Sequence, residues 1–130
     1  PPPPPPPKQK EIFKVVEDMP RFPGCEDIAN KAEREQCAQK KMLEFIYKNI
    51  KYPPIARENG IEGMAVIQFV VDEKGKIKDP KIVRDLAGGC GQEAARVVQL
   101  MADQVKWVPG KQRGKAVPVY FNLPVRFKLE

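Results

Sequence analysis

The chain contains no histidine, which removes the commonest general base and the commonest metal ligand. Neither a Ser-His-Asp arrangement nor a histidine-bearing zinc site can be assembled from it. Cysteine is scarce: three thiols are too few for a four-thiolate zinc site, and none shows CxxC spacing. No stretch approaches the roughly 20 apolar residues of a membrane span. The opening prolines replace the charged n-region that a signal peptide needs. The chain therefore reads as a fragment whose natural N-terminus, and any anchor on it, lie upstream. At 130 residues it suits one domain with a modest core, and nothing in it calls for a cofactor.

Positive charge and proline are what the sequence has in excess. Lys and Arg number 23 against 17 Asp and Glu, a net charge of +6. That balance suits nucleic acid, anionic lipid or an acidic partner surface, and equally a plain solvated basic exterior. Seven of the 15 prolines form the run Pro1–Pro7, expected as an extended polyproline II rod. Such a rod serves either as a stiff spacer or as a ligand for a proline-recognising domain, and its position against a folded domain favours the spacer.

In an oxidising compartment Cys25 and Cys37 are the natural pair, closing a loop that contributes about 3 kcal/mol in the chain-entropy treatment. One unbroken helix between them would hold them about 18 Å apart, beyond disulfide reach. A bridge therefore requires a turn somewhere between Asp27 and Gln36. Unpaired structural thiols are the alternative.

Hydrophobic periodicity supplies the elements. Glu11–Val16 is a candidate short strand, and charged helical material begins near Glu26. Met42, Leu43, Ile46 and Ile50 recur at helical spacing, predicting a helix over Ala38–Ile50 that ends before Tyr52-Pro53-Pro54. Pro54 opens a single turn through Arg57, with Gly60 as its stop. Ala65, Ile67, Phe69 and Val71 alternate on one strand; Gly75 turns it, and a return strand runs from Lys76 to Arg84. Pro80 makes that return strand an edge or marks a bulge. A second helix spans Gln92–Gln104. The expected fold class is α+β, with two helices packed on one face of a three-stranded antiparallel sheet and an extra N-terminal segment.

The last strand, beginning at Val117, alternates without a miss at Val119, Phe121, Leu123, Val125, Phe127 and Leu129, yet contains Pro118 and Pro124. Proline cannot donate to a ladder. Successive residues of a strand send their N–H groups to opposite edges, so prolines six apart spoil the same edge. The intact edge is expected to pair inside the sheet and the proline edge to face outward. Edge prolines guard against aggregation. Tyr120 and Asn122 still offer donors between them, so the same edge suits capture of a short extended peptide.

Taken together, YPPIARENGIEGMAVIQFVVDEKGKI, the second helix, and WVPGKQRGKAVPVYFNLPVRFKL resemble the C-terminal domain of TonB proteins. The match covers about Phe45 to Leu129, and MPRFPG with GKQRGK resembles the Bacteroidetes-type branch. The resemblance implies a periplasmic domain of an inner-membrane-anchored energy transducer, not an enzyme. Its partners are then the ExbB–ExbD proton-driven motor, through the missing anchor, and outer-membrane TonB-dependent transporters. The family takes the transporter's TonB box as an added strand on its last strand, here Ala116, Val117, Val119, Tyr120, Phe121, Asn122, Leu123, Val125 and Arg126. The segment before Tyr-Pro also contacts transporters in the family, which points to Asn49, Ile50, Lys51 and Tyr52; stable packing of a helix end is the alternative. Cargo in the family is an iron chelate, vitamin B12 or a glycan. The domain division read here is 1–10 as linker end, 11–37 as N-terminal extension and 38–130 as the TonB-like domain, with a homodimer through the exposed edge as a further expectation. A TonB-like domain fused to a sensor or peptidase is the runner-up within the family.

Two readings of other classes compete. Lys111, Arg113, Lys115, Arg126 and Lys128, with Tyr120 or Phe121, could mimic a nucleic-acid stacking platform, but no clustered aromatic-basic signature accompanies them, and no nucleic-acid partner is expected. A redox or nucleophilic role would rest on Cys90 at a helix N-terminus.

Overall fold

Asn30 begins the first helix. Its side-chain oxygen accepts the Glu33 N–H at 3.0 Å, and α1 then runs Lys31–Asn49. The helix starts seven residues before the apolar stripe does, because its first two turns, KAEREQC, are good helix formers with no buried face to reveal them. The computed structural model describes residues 2–3 and 11–129; most of the polyproline run, and Glu130, lie outside the described residues. The chain turns over residues 26–30 rather than continuing as helix, and that turn brings Cys25 back to the second turn of α1. Cys25 and Cys37 are disulfide-bonded, with Cα atoms 6.0 Å apart.

Pro54 opens α2, Pro54–Glu58, whose carbonyls are closed off by Asn59 and Gly60. Three strands form the main sheet: β1 (Gly63–Val71), β2 (Ile77–Arg84) and, after a gap, the last strand, Val119–Phe127. Gly75 closes the β1–β2 turn under two constraints. Its φ is +81°, and a Cβ there would stand 2.0 Å from the Trp107 carbonyl oxygen, so only glycine fits. Asp72 holds the same turn, its buried carboxylate accepting the Lys74 and Lys76 N–H groups at 2.9 Å and facing Lys78 Nζ at 3.2 Å. Burial raises the Asp72 pKa, but those donors outweigh it and leave the group below its ordinary value.

Helix α3, Cys90–Gln104, starts two residues earlier than the expected Gln92 and is entered through a 3-10 turn at Ala87–Gly89. The basic loop after Trp107 is a hairpin, β3 (Gly110–Gln112) with β4 (Lys115–Val117), turned on Arg113 and Gly114. Both turn residues have positive φ, 53° and 76°, as a two-residue hairpin requires. Arg-Gly is a weak hairpin signal, which is why this pair was not legible. Pro118 then separates β4 from β5, Val119–Phe127, so the alternating run is two strands, not one.

The sheet order is β2-β1-β5, antiparallel throughout, and Met42 and Ile46 of α1 join Ala94, Val97, Val98 and Met101 of α3 against its odd-numbered β1 residues. This is the expected α+β architecture. Trp107 seals one end, 5.0 Å from Phe121, 5.6 Å from Phe69 and 6.0 Å from Phe22 between ring centres. Each such edge-on pair adds about 0.5–1.5 kcal/mol beyond burial.

The N-terminal segment is not a strand. It runs alongside the hairpin and β5 as a strap with single bridges at Phe13–Val119, Asp18–Lys111 and Arg21–Val108.

Candidate partner-docking edge

Strand β5 is at the margin of the sheet and pairs with β1 without a single register slip, from Gly63–Phe127 to Val71–Val119. Regular pairing fixes which groups face where. Val119, Phe121, Leu123 and Val125 direct their backbone groups at β1, and the side chains of Val119, Leu123 and Val125 are wholly buried. They hold the edge straight, and none of their backbone groups faces outward from the sheet. Phe121 is half-buried in the Trp107 cluster, stacked 5.5 Å from Phe69, and is not a free stacking platform. Ala116 and Val117 belong to the β3–β4 hairpin, paired with Lys111 and Gly110.

The outward groups belong to the even residues, Pro118 to Arg126, and here the exposed edge expected from proline parity needs correction. Its first rung is occupied. The Phe13 N–H donates to the Pro118 carbonyl at 3.0 Å, and the Tyr120 N–H donates to the Phe13 carbonyl at 2.9 Å, in parallel orientation. Its last donor is also satisfied: the Arg126 N–H donates to the Tyr47 hydroxyl at 3.2 Å. Between them, the carbonyls of Tyr120, Asn122 and Pro124 and the Asn122 N–H point outward without a partner among the described residues. Phe13 and Tyr47 were absent from the sequence-derived site. The only local hint for Tyr47 is its place one turn after Leu43 on the helix.

Asn49–Tyr52 lies at the far end of this edge. The Tyr52 ring meets Phe127 edge-on at 5.6 Å, and its hydroxyl donates to the Ile61 carbonyl. Burial pushes the Tyr52 phenol up, and Arg57 stands 5.4 Å over its ring. The Ile50 N–H closes α1 on Ile46, while the Asn49 amide donates to Phe45. The Lys51 N–H donates to Glu93 at 2.7 Å, and Arg96 bonds both Glu93 and the Asn49 carbonyl. The Arg96 hydrogen bonds first, then the Lys51 N–H, hold the Glu93 carboxyl below its ordinary range although burial opposes them. This segment thus ties α1 to α3 and to β5. It also forms, with Tyr47, Arg126, Phe127 and Lys128, a cleft of about 260 Å³ that continues the line of the open rungs.

Lys111, Arg113 and Lys115 stand exposed on the hairpin, Arg126 near the end of β5 and Lys128 just after it, so both ends of the edge are basic. Cys90 is fully buried, and burial followed by the Asp85 charge pushes its thiol up, the opposite of an activated cysteine. No cluster able to hold a metal ion occurs among the described residues.

Known proteins resemble this chain in sequence and in fold. The chain is 36% identical over 81 residues to Protein TonB of Vibrio cholerae, a match covering 62% of this chain and 32% of that one. It thus spans about a third of that relative's length. Two solution structures of the Helicobacter pylori TonB C-terminal domain, each 20% identical, share the fold. One has a TM-score of 0.55 over 71% of this chain and 80% of that one; the other, 0.51 over 69% and 91%. A family model described as "Gram-negative bacterial TonB protein C-terminal" matches residues 48–129, more than half of the chain, and the chain belongs to that family.

Proposed function

We propose that this chain is the transporter-facing, periplasmic end of an energy transducer. It takes the N-terminal TonB box of an outer-membrane TonB-dependent transporter as an added strand on β5. It transmits force from an inner-membrane proton-driven motor of the ExbB–ExbD type. What carries the reading is the state of the β5 edge. Register is perfect, prolines remove donors of one parity only, and the Asn122 N–H with three carbonyls is left facing outward. An edge meant only to be closed would have no reason to keep that order.

The energetics suit a transducer. A net contribution of about 0.5–1.5 kcal/mol per backbone hydrogen bond makes docking on a few rungs weak and reversible. Basic residues at both ends favour an acidic segment and speed its arrival, an effect that salt screens. We assign residues 1–10 to a linker, 11–30 to an N-terminal extension and the rest to the docking domain, because the boundary expected at residue 38 would cut α1, and we assign no catalysis.

The test is an amide-resolved NMR titration with synthetic peptides from the N-termini of candidate outer-membrane transporters. Shifts concentrated at Tyr120–Arg126 and Asn49–Tyr52 are expected. An intact fold with no shift at millimolar peptide would sink the reading. A second copy pairing at the same rungs is the competing occupant, seen as a concentration-dependent mass.

A further inference from the structure

Phe13 occupies the edge as an added strand would. It is extended, parallel to β5, and satisfies both outward groups flanking Val119. Resting on the docking function proposed above, we infer that the segment Glu11–Val16 is a cis occupant of the docking edge, and that a transporter segment must displace it to use the edge in full.

The strap is built to hold one rung and no more. A second parallel rung would place Val15 opposite Phe121, between the outward Tyr120 carbonyl and the outward Asn122 N–H. Val15 instead bends away and stands 80% exposed, although it is a large apolar residue. Val16 then turns inward and is buried. Downstream the strap is held far more firmly. The Asp18 and Lys111 backbones exchange hydrogen bonds at 3.1 and 2.8 Å, and those of Arg21 and Val108 at 3.0 and 2.8 Å. The Glu17 N–H reaches the Gln112 side chain, Lys31 binds the Glu17 carbonyl and faces Asp18 at 3.4 Å, and the Cys25–Cys37 bridge completes the anchorage. The Phe13 rung is thus the outermost and least supported of three. Anything that draws the residues before Glu11 away from the domain removes it first and leaves the others in place.

Loss of that rung frees the Pro118 carbonyl and the Tyr120 N–H, and lengthens the open ladder from Tyr120–Pro124 to Pro118–Pro124. The strap therefore competes with any ligand that uses the first rung, while it leaves the Asn122 rung open for initial contact.

The test compares the full chain with Phe13→Pro, which deletes the donor to Pro118 without touching the core. Hydrogen exchange at Tyr120 and Asn122 is read alongside peptide titration. The expected result is a Tyr120 amide protected in the parent and fast in the variant, with Asn122 fast in both. Transporter peptides should bind the variant about five-fold tighter, the equivalent of one net hydrogen bond. In the saturated parent complex, Phe13 resonances should move to random-coil positions. A Tyr120 amide as fast as Asn122 in the free parent, or equal affinities of the two proteins, would overturn the inference. If Tyr120 responds to the substitution but no peptide binds either protein, the docking function itself has failed and the competition falls with it.

Discussion

The two outer strands of the sheet both carry proline, and they use it in opposite ways. Strand β2 is distorted by it. Eight residues of β2 span only the six of β1 from Val66 to Val71, with register shifts at two places, and Asp79, just before Pro80, has φ of +53°. Its outer edge is no longer an even row of groups, so no extended segment can follow it. Strand β5 keeps its register along all nine residues and gives up donors of one parity alone. Proline can therefore close an edge by bending it, or thin an edge while leaving it straight. Only the second leaves a ladder that another strand can read.

The sharpest way to break this contrast is to move a proline to the wrong parity in β5. Leu123→Pro removes an inward donor to β1 and a wholly buried side chain together. A loss on the order of 4 kcal/mol or outright unfolding is expected in urea titration, and a loss under about 1 kcal/mol would show that β5 does not pair as described.

A smaller effect should separate the edges by pH. The β1–β2 turn depends on the Asp72 carboxylate, whose folded pKa lies below its ordinary 3.8. Its stabilisation is complete above that value and is lost as pH falls through the folded pKa. Amide protection in β2, taken relative to the intrinsic exchange rate at each pH, is expected to fall on acidification below about pH 4 before protection in β5 does. Asp72→Asn should flatten that difference and cost about 1–3 kcal/mol at neutral pH, because a buried charged acceptor is lost.

Asn122→Pro should change stability by less than about 1 kcal/mol, since its N–H faces outward, yet weaken peptide docking about five-fold or more. Unaltered affinity in the NMR titration would show that the open rung is not used. The mildest change is Pro124→Ala, expected to alter stability by a few tenths of a kcal/mol and to raise edge-to-edge association, read as a concentration-dependent mass. A monomer unchanged at millimolar concentration would mean that Pro124 guards nothing.

The division between what was legible and what was not follows from the range of the forces. Alternation along β1 and β5, the Tyr-Pro stop after α1, the helical stripe at Met42, Ile46 and Ile50, and the parity of Pro118 and Pro124 are properties of neighbouring residues. Backbone geometry alone dictates where their groups point, so the sheet, its two helices and the correct outer edge could be read directly. The onset of α1 could only be bracketed, between the charged helical material expected from Glu26 and the stripe from Ala38, because Lys31–Cys37 buries nothing that a periodicity could show; the β3–β4 hairpin was missed because Arg113-Gly114 is weak turn chemistry. What the sequence by itself determined is that one edge of the last strand is thinned and faces away from the core. What only the tertiary structure decided is who sits there: Phe13 arrives along a strap whose Glu17 finds Gln112 across 95 residues, and Tyr47 reaches Arg126 from α1. Those contacts satisfy single backbone groups at long range, and no local pattern of residue types encodes them.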